Sequence, residues 1–138
     1  MRRLLTLLLL GWLPALQAQS PVVTFIGTNH FQPVNVEAAE AYGVRLAAFN
    51  LDGHRNLEKA ISQGLPNDLV EAERIANERI KAMDSRELQA AFQGIALALQ
   101  WDIQKAPAFV FNEGEAVIYG VTDVEVALKR WQYYGMTR

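Results

Sequence analysis

Residues 101–120 read WDIQKAPAFVFNEGEAVIYG. Two apolar runs, Ala108–Phe111 and Ala116–Tyr119, flank a polar break, Asn112-Glu113-Gly114-Glu115. β-Rich runs separated by a short glycine-containing break read as an antiparallel hairpin, with Gly114 free to take a positive φ. Pro107 enters the first run. It has no N–H to give to a ladder, so its place is a strand's first residue.

Working outward, Pro21-Val-Val-Thr-Phe-Ile-Gly27 is a continuous apolar run, the pattern of a strand covered on both faces. Thr28 to Pro33 is polar and ends in proline, so it reads as a loop. Asn35 caps a short helix over 36–42 that Gly43 stops. Val44 to Leu51 reads as a second central strand, ended by Asp52-Gly53. Leu57, Ala60 and Ile61 then recur at helical spacing up to Gly64-Leu65-Pro66. Asn67 is expected to cap a longer helix to about Met83, with Leu69, Ala72, Ile75, Ala76, Ile80 and Met83 as its buried stripe. Asp84 to Glu87 has capping-box spacing and opens a helix with Leu88, Ala91, Phe92, Ile95 and Leu99 on one face. Gly94 inside it costs up to about 1 kcal/mol relative to Ala, which points to a close helix–sheet contact. After the hairpin, Thr122 to Glu125 is a second capping box. The last helix is expected to bury Val124, Ala127, Leu128 and Trp131. No repeat or linker divides the chain, so residues 19–138 read as one domain.

The first residues read differently. Met1-Arg2-Arg3, the apolar 4–10 stretch and Pro14 to Ala18 have the layout of a secretory signal peptide. The apolar part is too short for a membrane anchor, which needs about 20 apolar residues. With 1–18 removed, Arg2 and Arg3 go, and 13 Lys+Arg against 15 Asp+Glu becomes a net charge of about −4. No basic stripe is left to follow a phosphate backbone, so direct nucleic-acid binding is not expected. The sequence has no cysteine. Disulfide staples and thiol chemistry are both excluded. The expectation is a periplasmic protein with no stable membrane anchor after cleavage.

The order strand, helix, strand, helices, hairpin, helix gives a parallel first pair with a right-handed crossover and an antiparallel last pair. Together with Ala106-Pro107-Ala108, the Asn112–Glu115 turn and the run from Val121, this resembles the thioredoxin fold. The resemblance implies an α/β chain with a mixed central sheet of about four strands, a C-terminal hairpin and helices on both faces. It also implies a cis bond at Pro107. The thiols of a thioredoxin would fall near Thr28-Asn29-His30-Phe31, where this chain has none. Over most of its length the sequence further resembles a family of integrating conjugative element proteins, similar in fold to TrbC-type pilus-assembly proteins. The matching residues are Gly64-Leu65-Pro66, Glu78-Arg79, Ala91 to Ile95, Lys105 to Ala108, Tyr119-Gly120, Asp123-Val124 and Ala127-Leu128. That resemblance implies a part in conjugative type IV secretion and mating-pair formation, with other channel or pilus-assembly proteins as partners. It supplies no catalytic residues.

Candidate binding residues follow. Thr28, Asn29, His30 and Phe31 with Ala106 and Pro107 could shape a shallow groove for an extended peptide. Tyr133 and Tyr134 form a terminal aromatic pair able to anchor a protein partner. His30, His54 and Asp52 are the residues a metal-dependent enzyme would use, but two distant histidines and one Asp-x-His match metal-ligand spacing poorly. Glu71, Asp123 and Glu125 sit at helix starts, where the macrodipole explains them. Ser20, Ser62 and Ser85 lack a nucleophile-elbow frame, and no glycine-rich phosphate loop is present. The expectation is a non-catalytic protein with no cofactor or metal that works by protein–protein binding. The rival is a periplasmic peptide-binding or chaperone-like module.

Overall fold

A computed structural model describes residues 19–136. The signal-peptide reading falls on residues 1–18 and lies outside the described residues. The elements run β1 (Val22–Gly27), α1 (Ala38–Ala41), β2 (Arg45–Asn50), α2 (Gly53–Ser62), α3 (Leu69–Ala82), α4 (Ser85–Gln100), β3 (Ala108–Phe111), β4 (Ala116–Tyr119) and α5 (Val124–Met136). The strands form one sheet in the order β2-β1-β3-β4. β1 pairs parallel with β2 and antiparallel with β3, and β3 pairs antiparallel with β4. This is the mixed-sheet, thioredoxin-like α/β architecture expected of the sequence, except that β2, expected as a central strand, lies at an edge of the sheet and pairs only with β1.

Why β1 sits inside the sheet follows from its composition. Its residues 23–27 are all buried, and Thr24 is the one polar residue among the buried ones. Alternation sends Val23 and Phe25 to one face with Phe109 and Phe111, where Ala39 of α1 and Val124, Ala127 and Leu128 of α5 close the main core. Phe111 stacks on Trp131 with ring centroids 4.9 Å apart, which leaves Trp131 half-buried at the end of that core. Ile26, Ala108 and Val110 are buried on the opposite face. On that side of the sheet, α4 passes over β2 at Gly94, the residue whose missing side chain permits the approach. A Cβ there would lie 3.0 Å from the Asn50 carbonyl oxygen and 3.3 Å from Phe49 Cβ.

The hairpin turn is tighter than a single glycine would make it. Asn112–Gly114 is a turn of 3-10 helix, with positive φ at Asn112 and Glu113 as well as at Gly114. The Trp101 ring lies against Gly114, where a Cβ would come within 2.9 Å of it. The Ala106–Pro107 peptide is cis. Pro107 is buried immediately before β3, and its carbonyl accepts the Gly120 N–H at 3.0 Å.

Several helix starts differ from expectation. Asn35 does not cap α1; it has a φ of 54°, and its side chain donates to Asp123 Oδ2 at 2.6 Å. α1 is accordingly only four residues long. Asp68, not Asn67, caps α3 by accepting from the Glu71 N–H at 2.9 Å. At α5 the cap is Asp123, which accepts from Val126 N–H at 3.1 Å, in place of Thr122. In each of the last two cases the chain offered adjacent capping residues, and the carboxylate took the position.

The larger correction concerns the helical layer. Leu69, Ile80, Phe92 and Leu99, expected inside, are exposed, at 84%, 41%, 53% and 78%. α3 has no buried residue; Ala72, Ile75, Ala76 and Met83 are only half-buried. Its outer face carries Arg74 bonded to Glu71 and Glu78 at 2.6 Å each, and the Arg74 hydrogen bonds hold the Glu71 carboxyl below the usual carboxylate range. The expected stripes are only partly covered, because a four-stranded sheet has too little surface for three helices beside it. Tyr133 and Tyr134 lie within α5, not in a tail beyond it.

The crossing of α2 over α4 depends on Gly53, where a Cβ would sit 2.6 Å from the Ala91 carbonyl oxygen. Gly53→Ala is therefore expected to lower stability by about 1–3 kcal/mol, as overpacking does. Urea titration of the purified domain checks it, and an unchanged midpoint would refute the close crossing.

Candidate functional site

The ends of β1 and β2 meet where a thioredoxin would display its thiols. The register Ile26↔Ala108 sets Gly27 beside Pro107, so the 28–31 segment leaves the sheet at the end where β3 begins. That segment is closed on itself. Thr28 and Phe31 exchange backbone hydrogen bonds at 3.2 Å, and Thr28 Oγ1 accepts from the N–H groups of His30 and Phe31 at 3.3 Å. Gln32 Nε2 donates to the Thr28 carbonyl at 2.7 Å. Downstream, Val34 N–H donates to the Thr122 carbonyl at 2.9 Å, and Val124 N–H donates to the Val34 carbonyl at 3.0 Å. The whole connection is thereby pinned to the start of α5.

A knot of amides lies against it. Asn29 and Asn56 exchange side-chain hydrogen bonds at 2.9 and 3.0 Å, and Asn50 Nδ2 donates to Asn29 Oδ1 at 2.8 Å. Asn50 Oδ1 accepts from the Asp52 N–H at 2.8 Å, and Asp52 Oδ2 accepts from the Asn29 N–H at 2.9 Å. Arg55 approaches the other Asp52 oxygen at 3.9 Å. Asn29, Asn50, Asp52 and Asn56 are thus bonded into one cluster. Asn50 and Asn56 went unnoticed in the sequence, although asparagines on either side of Asp52-Gly53 are the residues that favour such side-chain-to-backbone turns.

His30, Asp52 and His54 are not brought together as one set. Asp52 serves Asn29; His30 is exposed on the turn; His54 Nδ1 lies 3.1 Å from the Leu51 carbonyl, with its ring 6.3 Å from that of Phe92. Among the described residues no three His, Cys, Asp or Glu side chains are grouped to hold a metal ion. Ala106 is half-buried and Pro107 buried. The cavity beside the 28–31 turn is small, about 80 Å³, and is lined by Phe25 and Gly27 of β1, Thr28 and Phe31 of the turn, and Phe49 and Asn50 of β2, without either residue of the cis peptide.

Three larger concavities are present. Two run between α2 and α4: one of about 340 Å³ borders the amide knot and is lined by Asn50, Gly53, Asn56, Leu57, Ala60 and Ala91, and one of about 310 Å³ is lined by His54, Leu57, Glu58, Ile61, Ser62 and Phe92. The third, about 550 Å³, follows β4 beneath the end of α5, with Glu115, Val117, Ile118, Trp131 and Tyr134 along it. Tyr133 meets Tyr134 edge-on at 6.0 Å. The expected aromatic anchor therefore joins a sheet edge, not a free tail. Among the described residues no helix is long and apolar enough to cross a membrane.

Asn29 is the hub of the amide knot, so Asn29→Ala is expected to cost about 1 kcal/mol. It should also speed amide exchange across 28–32, measured by hydrogen–deuterium exchange. Unchanged protection there would mean that the turn holds without the knot.

No curated protein and no solved structure matches the chain. A family model described as "Protein of unknown function (DUF1525)" matches residues 21–137. The chain belongs to that family.

Proposed function

We propose that this protein is an exported, non-catalytic component of the conjugative transfer apparatus of an integrating conjugative element, working in the periplasm by binding other channel or pilus-assembly proteins. The assignment to conjugation rests on the resemblance of ordered motifs from Gly64-Leu65-Pro66 to Ala127-Leu128, and on a fold of the kind TrbC-type proteins share. The observation that carries binding is the apolar groove between α2 and α4. Its walls are Leu57, Ile61 and the half-exposed Phe92, with His54 and Glu58 at its margin. A contiguous apolar concavity rimmed by polar groups is the surface chemistry of a protein-binding site. Its partner chemistry is an amphipathic helix that places aliphatic side chains between the two helices, the helix-in-groove mode.

Binding by surfaces fits a molecule whose turn at Thr28–Phe31 and whose Asp52 carboxylate are engaged in holding the fold. A groove formed mainly by two helices can change its side chains without disturbing the sheet.

Deletion of the gene from a donor carrying the element is expected to lower its transfer, and the wild-type gene in trans should restore it. Phe92→Glu should keep the native circular dichroism yet fail to restore transfer, since truncating an interface hot spot costs about 2 kcal/mol or roughly thirtyfold in affinity. Undiminished transfer on deletion would overturn the role in conjugation. Full restoration by folded Phe92→Glu would overturn the groove.

A further inference from the structure

β4 is an outer strand of the sheet, and its free edge has an alternating pattern that can be worked out residue by residue. Gly120 N–H bonds the Pro107 carbonyl, and the ladder pairs Tyr119 with Ala108, Ile118 with Phe109, Val117 with Val110 and Ala116 with Phe111. In an antiparallel ladder hydrogen-bonded and non-hydrogen-bonded pairs alternate. Starting from Gly120, the pairs at Ile118 and Ala116 are bonded to β3. The backbone N–H and C=O groups of Val117 and Tyr119 therefore point outward, away from the sheet. Natural edges are blunted by shortness, which β4 shares at four residues, and by proline, by a lysine in the strand or by a bulge. Ala116-Val117-Ile118-Tyr119 has no proline, lysine or bulge.

We infer that this edge pairs with a second copy of the same chain, β4 against β4 about a two-fold axis, to make a continuous eight-stranded sheet. Among the antiparallel registers, one satisfies all the outward groups. With Ile118 facing its own counterpart, Val117 of each copy exchanges two hydrogen bonds with Tyr119 of the other. Side chains keep their faces in this register, so both α5 helices lie on the same side and the two Tyr134-lined concavities adjoin across the axis.

Charge specifies a copy of this chain over another peptide. Each edge has an acidic end, with Glu113 and Glu115 at the hairpin, and a basic end, where Lys105 Nζ lies 5.5 Å from the centre of the Tyr119 ring. Glu115 and Lys105 are both exposed. A two-fold antiparallel pairing carries the acidic end of each copy to the basic end of the other, twice over. The edge is thus complementary to itself, as an isologous interface requires. This inference goes beyond the proposed function, since it uses the opposite side of the molecule from the α2–α4 groove and stands whether or not the protein serves conjugation.

The test is sedimentation equilibrium of residues 19–138 and their variants. The wild-type chain is expected to dimerise. Val117→Pro removes an outward N–H and no β3 hydrogen bond, so it should stay folded by circular dichroism while its dimer dissociation constant rises at least about tenfold. Glu115→Lys and Lys105→Glu should each weaken self-association. A one-to-one mixture of those two variants should recover it, because every cross-axis contact then joins opposite charges. A wild-type chain that stays monomeric, a Val117→Pro dimer as tight as wild type, or a mixture no better than its components would overturn the inference. So would a monomer whose β4 edge binds only an extended peptide of another protein.

Discussion

Phe25 faces Phe109 across the β1–β3 pair, ring centroids 4.9 Å apart, and both side chains are fully buried. This contact fixes the register of the whole sheet. A slip of one residue would carry Val23 and Phe25 to the opposite face and empty the core of two large side chains. Burying a phenylalanine is worth about 1.5–3 kcal/mol, so such a slip has no compensation available. With the register held, β2 follows on one side of β1 and β4 on the far side of β3. α1 and α5 then close over the aromatic face.

The same register sets the chemistry at the end of the sheet. It delivers Gly27 and Pro107 side by side, and the space beyond them is taken by a turn bonded to itself and by an asparagine knot. Here Asn29, Asn50, Asp52 and Asn56 spend their hydrogen-bonding capacity on one another, which stiffens the end of the sheet. Room for another molecule is found between α2 and α4, where one concavity borders Asn50 and Asn56 and another holds Phe92, and along β4.

Those two surfaces arise from a shortage of cover. Four short strands accommodate α1 and α5 on one side and α4 with α2 on the other, and α3 packs outside that layer. Apolar side chains such as Leu69, Phe92 and Leu99 consequently remain in contact with water, at a cost that binding a partner would remove. At β4 the shortage is of hydrogen-bond partners, since nothing in the described chain lies beyond the strand to pair with Val117 and Tyr119.

Local chemistry in the sequence was enough to determine the elements. The proline before an aromatic run, the polar break at Asn112–Glu115 and the apolar run from Val22 name the strands, because a strand's composition reports directly on how many of its faces are covered. Gly94 declared a close helix contact for the same reason. What the sequence could not carry was the amount of partner surface each apolar stripe would meet. Helical periodicity assigns Leu69, Phe92 and Leu99 to a side, but burial depends on how many layers the sheet can support. Nor could it show Asn29, Asn50 and Asn56 as one cluster, or Trp131 and Tyr134 beside an open strand, since those neighbours are far apart in the chain. Pattern acts over a few residues and fixes local geometry; the fold alone decides which distant side chains share a surface and which are left uncovered.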